Sequence, residues 1–600
     1  MALQVGVNVT EVDGRASPVL QAAPTSVAAF VGRTRRGVPG QAVRLSSLDE
    51  FGARFGGNHR DGYLPYAING FFVNGGREAF VVRVAGAGSK AAAATLTDRQ
   101  TGPGAATLRI TGGFRGAADP GTWAHALRLD VRDDPRATTQ VATAASATAT
   151  TLQLASVAGI AIGTVLRIAL SPVLFKVVTA VDRSTRTVTI GTATGVAVAG
   201  GTAVTSAEFR LIVRQQDATT GAFPVVETWS NLSMQPGSAD YALDRLNHPV
   251  TGSRFVAVTD VSTAGPGLDL PSVISGVALS GGTENAAASG DLAGGLTALN
   301  NAAVQLLAVP DAHLLDPTGE ALVAQAALDY SAARGDCMYV GSAPDRGHPG
   351  GTEPRSPAGY NETVAHYAET VKQYATHLQA AKVYGALYAP WLLVADPTAA
   401  GSTPVRFVPP DGHVMGVYAR TEQERGIHKA PAGDAATVRG AVDLAAGFSQ
   451  AEHDDLVRTG RTNGILAPGG RTPAVAASRT LSTDTRWQYV NVRLLFNFVK
   501  ASLRDGLRFV RQEPNTEALR RTIKFNVITP FLLGLWRRGA FGADPAAQVF
   551  TVKCDAENNP PANVDQGLLT VEVFFFPVRP AETVQIIVGQ QPTGATAAEA

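Results

Sequence analysis

Two short segments of strict two-residue alternation, one at each extremity, constrain this chain most. LQVGVNVTEV places Leu3, Val5, Val7 and Val9 on one face and Gln4, Gly6, Asn8 and Thr10 on the other, the pattern of a half-buried β-strand. TVQIIVGQ, from Thr583 to Gln590, is a second such strand, carrying Val584, Ile586 and Val588. Chain ends fray unless something holds them, so each strand calls for a partner sheet. The connectors behind them, residues 13–24 and 577–582, contain Gly or Pro and few apolar anchors. They read as extended tethers.

Between these ends lie more residues than one core can hold, since the chain has 600 and single cores stop growing well before that size. Apolar residues at 45% and charged residues at 17% exclude a disordered chain. A net charge of +1 argues against a whole-chain binder of nucleic acid or membrane. Two cysteines, Cys337 and Cys554, exclude a disulfide scaffold and fit a reducing compartment. The N-terminal stretch lacks the basic and apolar blocks of a signal peptide. The most apolar long window, residues 159–181, holds Arg167, Pro172 and Lys176, which makes it a poor membrane span and a better pair of strands.

The pattern predicts a mixed α/β, multidomain fold. Residues 1–24 form a strand arm and linker. Residues 25–95 together with 265–479 alternate strands and helices, including a helix over Leu48 to Phe55, a buried strand at Phe80 to Val84, an alanine-rich helix near 320–333 and a helix from Asn361 to Lys382. Residues 96–264 form a β-rich surface insertion, with 137–205, almost all Ala, Thr, Ser and Val at its start, as an extra β module. Residues 480–576 form a C-terminal unit, and 577–600 a linker, strand arm and tail. Within that unit LLTVEVFFF alternates, putting Leu569, Val571, Val573 and Phe575 on one face, a sheet able to receive another strand.

Enzyme motifs are weak. GAGSKA, residues 86–91, follows a strand and fits a dinucleotide fingerprint, but no acidic residue stands about 20 positions on, and a turn leaving the sheet explains it better. No P-loop, H-E-x-x-H or G-x-S-x-G motif occurs. His366 and His377 lie about three turns apart on one predicted helix, too far to share a metal directly. No catalytic residue, metal site or cofactor is expected.

A basic cluster is more informative. Between 486 and 538 stand eleven Lys or Arg against three acids, a local excess of eight positive charges in a nearly neutral chain. Arg493, Asn497, Lys500, Arg504, Arg508 and Arg511 recur at helical spacing within a helix predicted over 486–511, opposite an apolar stripe of Trp487, Val490, Leu494, Phe498 and Ala501. Such a stripe is either a solvated face or a docking surface for an acidic partner. Nucleic acid fits less well, because no aromatic residues interleave with the cations.

Seven stretches resemble the contractile tail sheath proteins of phages and phage-like injection systems: NGFFVNGGREAFVVRV (69–84), YAPWLLV (388–394), VPPDGHVMGVYARTEQERGIHKAPAG (408–433), RTNGILAPGGR (461–471), SRTLSTDTRWQYVNVRLLFNFVKASL (478–503), WRRGAFGADPAAQVFTVKCDAENNP (536–560) and GLLTVEVFFFPVRPAETVQIIV (567–588). They occur in consistent order over about 27–90 and 265–590. AASRTL at 476–481 departs from the family, which usually has Gly before the equivalent of Ala-Arg-Thr.

The resemblance implies a structural protein with a subtilisin-like middle domain, in fold but without a catalytic triad, and a discontinuous inner assembly domain with exchanged terminal strands. Its subunits would form stacked hexameric rings around an inner tube protein, with baseplate and tail terminator proteins at the ends, and would shorten to drive the tube through an envelope. Leu3, Val5, Val7, Val9, Val584, Ile586 and Val588 become inter-subunit arms. Leu569, Val571, Val573 and Phe575 become the receiving strand, and Arg520, Arg521 and Lys524 an inner-tube contact. The particle would be built in the cytoplasm of the producing bacterium and released by lysis, as a phage tail or an injection system. A cytoplasmic enzyme with a subtilisin-like or dinucleotide-binding core, and a tube or baseplate component, stay open as alternatives.

Overall fold

The computed structural model describes residue 20 and residues 22–99, 104–345, 363–399 and 404–582. The predicted arms Leu3 to Val9 and Val584 to Val588 therefore lie outside the described residues.

The centre of the molecule is an eight-stranded sheet. Its strands are β1 (Ala28–Gly32), β2 (Ala42–Leu45), β3 (Ala79–Arg83), β4 (Leu306–Ala308), β5 (Met338–Ser342), β6 (Gly385–Ala389), β7 (Thr462–Leu466) and β8 (Ala474–Val475), in the spatial order β2-β3-β1-β4-β5-β6-β7-β8. The six strands from β3 to β7 run parallel and the two edge strands run antiparallel. Parallel strands are covered on both faces and so read as continuous apolar runs. AAFVG of β1 and MYVGS of β5 are buried at every position.

On one face Phe30, Val81, Met338, Val340 and Tyr388 pack against α1 (Leu48–Phe55), α2 (Leu64–Val73) and, later in the chain, Asp411–Arg425. On the other, Ala29, Val31, Val82, Leu307, Tyr339 and Leu387 meet α3 (Pro317–Arg334) and α4 (Val364–His377). The helix over 48–55 has its predicted bounds, because Ser47 accepts the Glu50 amide at the start and Gly56, at φ 87°, stops it. The helix predicted over 361–382 is shorter. Thr363 caps it by accepting the His366 amide, and it ends at His377.

The segment 86–91 is a turn: the Ser89 amide donates to the Gly86 carbonyl at 3.2 Å. It carries the chain into β-rich structure that returns at Thr283, whose amide donates to the Lys90 carbonyl. Two antiparallel four-stranded sheets there enclose Leu108, Ile110, Trp123, Leu129, Val131, Phe209 and Leu211. From them projects a six-stranded sheet, Thr138–Gln140 through Ala203–Ser206. Its two edge strands, Thr138–Gln140 and Thr151–Gln153, also meet, through Ala142 N–H to the Gln153 carbonyl and Ala155 N–H to the Gln140 carbonyl, both 2.8 Å. The sheet thus closes into a small barrel around Leu152, Leu154, Leu166, Ile168, Val178, Val188 and Val204. Closure leaves no free edge on a module that projects from the body.

The joint between the α/β unit and this β-rich region is ionic. Arg83 at the end of β3 is fully buried. It pairs with Asp119 and, at 3.2 Å, with Glu284, and it donates to the carbonyls of Gly37 and Pro120. Burial pushes the Asp119 carboxyl up, opposed by Arg83 and by the Gly37 amide. A buried pair broken on one side leaves an unpaired charge, which costs about 3–5 kcal/mol. Arg83→Leu should therefore lower the unfolding free energy by about that amount, and Arg83→Leu with Asp119→Leu should recover part of it. Denaturant titration checks this; a loss under about 1 kcal/mol would contradict the assigned role.

His413, on the helix Asp411–Arg425, faces Gly70 of α2, where an added Cβ would lie 2.3 Å from the ring. Burial pushes its imidazole down to about 4. The unfolded chain binds the proton more readily, so stability is full above pH 6.5 and falls as pH drops from there to about 4. The loss is on the order of 3 kcal/mol. Comparing unfolding at pH 7 and pH 4.5, wild type should lose more stability than His413→Asn; equal losses would contradict it.

Candidate assembly surface

The C-terminal unit is organised by helix α7 (Val490–Gly506), which follows α5 (Asp411–Arg425) and α6 (Gln450–Arg458) in the chain. Helix α7 is shorter at both ends than the predicted 486–511, and its polar stripe changes along its length: Arg493 and Asn497 are buried, whereas Lys500, Arg504, Arg508 and Arg511 are exposed. Arg493 is fully buried, its guanidinium 4.1 Å from the ring centres of both Tyr384 and Trp487. Burial pushes it down to about 10.

Asn497 donates to the Cys337 carbonyl at 3.1 Å, Lys500 to the Tyr384 hydroxyl at 3.2 Å, and Arg504 to Asp336 at 2.5 Å. Burial works against the Asp336 charge, yet Arg334 and Arg504 hold its carboxyl below the usual range. From Arg493 to Arg504 the stripe runs along the leading ends of β5 and β6 as a seam that is buried at its start and open to solvent at its end. Its partners, Tyr384 and Asp336, lie more than a hundred residues away in sequence, so helical spacing alone could not reveal them.

The other side of α7 presents Leu495, Phe498 and Val499 to Ile523, Val527, Leu532, Leu535, Phe541, Val549 and Val552. Those residues come from the consecutive helical pieces Thr522–Ile528 and Thr529–Arg537, which continue Glu517–Arg521, from the turn at Phe541 and the short helix Ala546–Val549, and from a two-stranded sheet. In that sheet Phe550–Lys553 pairs antiparallel with Glu572–Phe575. Leu569, Val571, Val573 and Phe575 pack half-buried on the cluster, and Phe575 stacks on Phe496 at 4.2 Å. Phe574 and Phe576 point the other way and are each 64% exposed. Among the described residues the sheet stops at two strands.

Both terminal connectors are rooted on α7 or the loop entering it. At the N-terminal side Leu20 lies in the apolar cluster against Gly506, where an added Cβ would come within 2.6 Å of it. The Ala23 amide donates to Ser502 Oγ at 3.0 Å, and Ser26 Oγ donates to Glu422. At the C-terminal side Val578 donates to the Ala540 carbonyl, and Asn491 donates to the Val578 carbonyl at 3.2 Å. Glu582 accepts two bonds from Arg479, 2.5 and 2.8 Å, and one from the Tyr489 hydroxyl at 3.2 Å. In the described part of the connectors, Ala23, Val578 and Glu582 are each fastened by specific polar bonds.

Arg520 and Arg521 sit on the helical piece Glu517–Arg521 and Lys524 on Thr522–Ile528. Arg520 is half-buried and donates to Asn515, Lys524 stands 3.8 Å from Asp555, and Arg521 is exposed. Arg511, Arg537 and Arg538 are exposed as well.

The strand order of the large sheet reverses between β1 and β4, the place where doubly wound folds bind ligands at a helix N-terminus. Here the Asp311 carboxylate fills that place. It is fully buried and accepts the amides of Arg33 and Tyr63, both at 2.5 Å, and of Leu64 at 3.4 Å, at the start of α2. Nearby, His313 faces Glu320 at 3.1 Å, and Ser342 Oγ accepts the Asp411 amide. Cys337 is buried, and burial pushes its thiol up to about 12.

No family model matches the chain. It is 27% identical over 184 residues to the tail sheath protein of Vibrio phage KVP40, a match that takes in 30% of this chain and 26% of that protein. The chain thus aligns with about a quarter of the length of this curated relative. Among solved structures, the anti-feeding prophage helical sheath in its contracted state is 15% identical, covering 98% of this chain and 100% of that one, with a TM-score of 0.49. The sheath tail protein from Desulfitobacterium hafniense is 10% identical, covering 91% and 93%, with a TM-score of 0.48. In sequence, this chain resembles the contractile tail sheath proteins.

Proposed function

We propose that the chain is the structural subunit of a contractile sheath, polymerising as stacked hexameric rings around an inner tube, with baseplate and terminator proteins at the ends. The observation that carries this reading is the convergence of three features on α7. The two terminal connectors are fastened there, and the two-stranded sheet packs against the same cluster. Arms leaving these roots would start beside a sheet of the kind they must join in a neighbour.

Such joining is strand addition, held by main-chain hydrogen bonds. At a net ~1 kcal/mol each, about five bonds give several kcal/mol per arm. Burial of Val5, Val7, Val9, Ile586 and Val588 adds to that. Leu569, Val571, Val573 and Phe575 anchor the receiving sheet to its own cluster, leaving Phe574 and Phe576 for the neighbour. The doubly wound α/β unit is the counterpart of the family's subtilisin-like domain and serves as a rigid block. Its switch-point carboxylate, Asp311, supports a packing role there rather than ligand binding. Subunits would be made in the producing bacterium's cytoplasm and assembled into a phage tail or a related injection particle.

Deleting residues 1–10 or 583–600 should leave a folded, monomeric chain and abolish cylinders in electron micrographs. Cylinders formed without either arm would contradict strand exchange. For the inner tube, the exposed Arg521 is the clean probe, because Lys524 already has Asp555 beside it. Arg521→Glu should weaken retention of the tube in pull-down assays without changing the unfolding midpoint. Equal retention would remove it from the tube contact.

A further inference from the structure

We propose that the Arg479–Glu582 contact is a catch that stores extra length in the C-terminal connector, released while the N-terminal root stays fastened. The proposal rests on the arm-exchange reading and adds to it how the two arms differ.

The two roots are built from different interactions. At the N-terminal root Leu20 is buried in an apolar cluster, pressed on Gly506, the Ala23–Ser502 bond is buried, and the donor to the half-buried Glu422 is the neutral Ser26 hydroxyl. Apolar burial of this kind is not weakened by salt. At the C-terminal root the holding groups are charged and in reach of water, with the side chains of Arg479 and Glu582 15% and 28% exposed. The Arg479 hydrogen bonds keep the Glu582 carboxyl below the usual range. A partly exposed ion pair is screened as the Debye length falls from about 10 Å at 0.1 M salt to about 3 Å at 1 M.

The connector between the fastenings is short and stiff. Val578 is held through its own amide and carbonyl by Ala540 and Asn491. Arg579, Pro580 and Ala581 follow before Glu582. Beside them runs a groove of about 600 Å³ lined by Val457, Leu466, Ala477 and Ser478, so Pro580 and Ala581 lie along a wall rather than inside a core. With the catch open, Glu582 is no longer pinned and can swing on the four residues past Val578 to points within about 14 Å of it. An arm paired with a neighbour could then follow that neighbour without tearing its strand from the sheet. The N-terminal root, held by buried Leu20, has no such release, so its exit point stays fixed while the C-terminal exit point shifts.

The isolated full-length chain tests this directly. Cys337 and Cys554 are both buried, so a nitroxide can be placed selectively at Ala581→Cys or at Ala22→Cys, both exposed positions. Raising salt from 0.1 to 1 M should shorten the correlation time at 581 several-fold and leave that at 22 unchanged. Arg479→Gln should make 581 mobile already at low salt, and Arg479→Lys should restore an intermediate state that still responds to salt. A label at 581 that stays immobile at 1 M salt and in Arg479→Gln overturns the catch, as does equal loosening at both sites. Because these spectra need no assembly, a failure to form cylinders would overturn the sheath reading and leave the result for the catch standing.

Discussion

Everything at the assembly end of this molecule depends on how α7 is wedged in place. A fully buried guanidinium, Arg493, lies between the rings of Tyr384 and Trp487, where cation–π attraction is strengthened by loss of water. Asn497, Lys500 and Arg504 extend this contact along the ends of β5 and β6. The seam ties the helix to the α/β body on one side while its apolar side carries the C-terminal cluster. Because both connectors are fastened on the same helix or its entry, a pull on either arm reaches the body through these polar bonds.

The α/β body itself is stiffened by buried ions. Arg83 bridges Asp119 and Glu284 where the β-rich region joins, and Asp311 closes the crevice at the sheet's reversal point. Such groups contribute little net stability when complete but are costly to separate. They favour a block that moves as one piece. The closed barrel follows the same logic at the periphery, since a module without free edges does not polymerise through its own sheet. The C-terminal hairpin differs in that each of its two strands keeps one edge unpaired among the described residues, and there the proposed exchange takes place.

Much of this was legible in the sequence where the signal is local. The helix over Leu48–Phe55 is marked by its cap and its terminal Gly, and the parallel strands by unbroken apolar runs such as AAFVG and MYVGS. The turn at 86–91 could be told from a nucleotide loop because a required acid is missing. The failures are non-local. Arg493 looks like a surface residue when only its own helix is considered, yet the distant ring of Tyr384 helps to bury it, and the exposed Lys500 and Arg504 bond to Tyr384 and Asp336. Glu582 looked like part of a loose tail for the same reason, since Arg479 lies a hundred residues earlier. The hairpin face of Leu569, Val571, Val573 and Phe575 followed from alternation alone, whereas what it pairs with lies beyond one chain.

The central claim is that neighbouring chains are joined by strands added to that hairpin. A reconstruction of cylinders assembled from the full-length chain tests it most directly, at a resolution that shows strand separation. The account predicts a further strand from a neighbouring subunit about 4.8 Å from Glu572–Phe575 or Phe550–Lys553. It also predicts that Phe574 and Phe576 are covered in the assembly. Cylinders in which the hairpin remains two-stranded and both rings face solvent would contradict it.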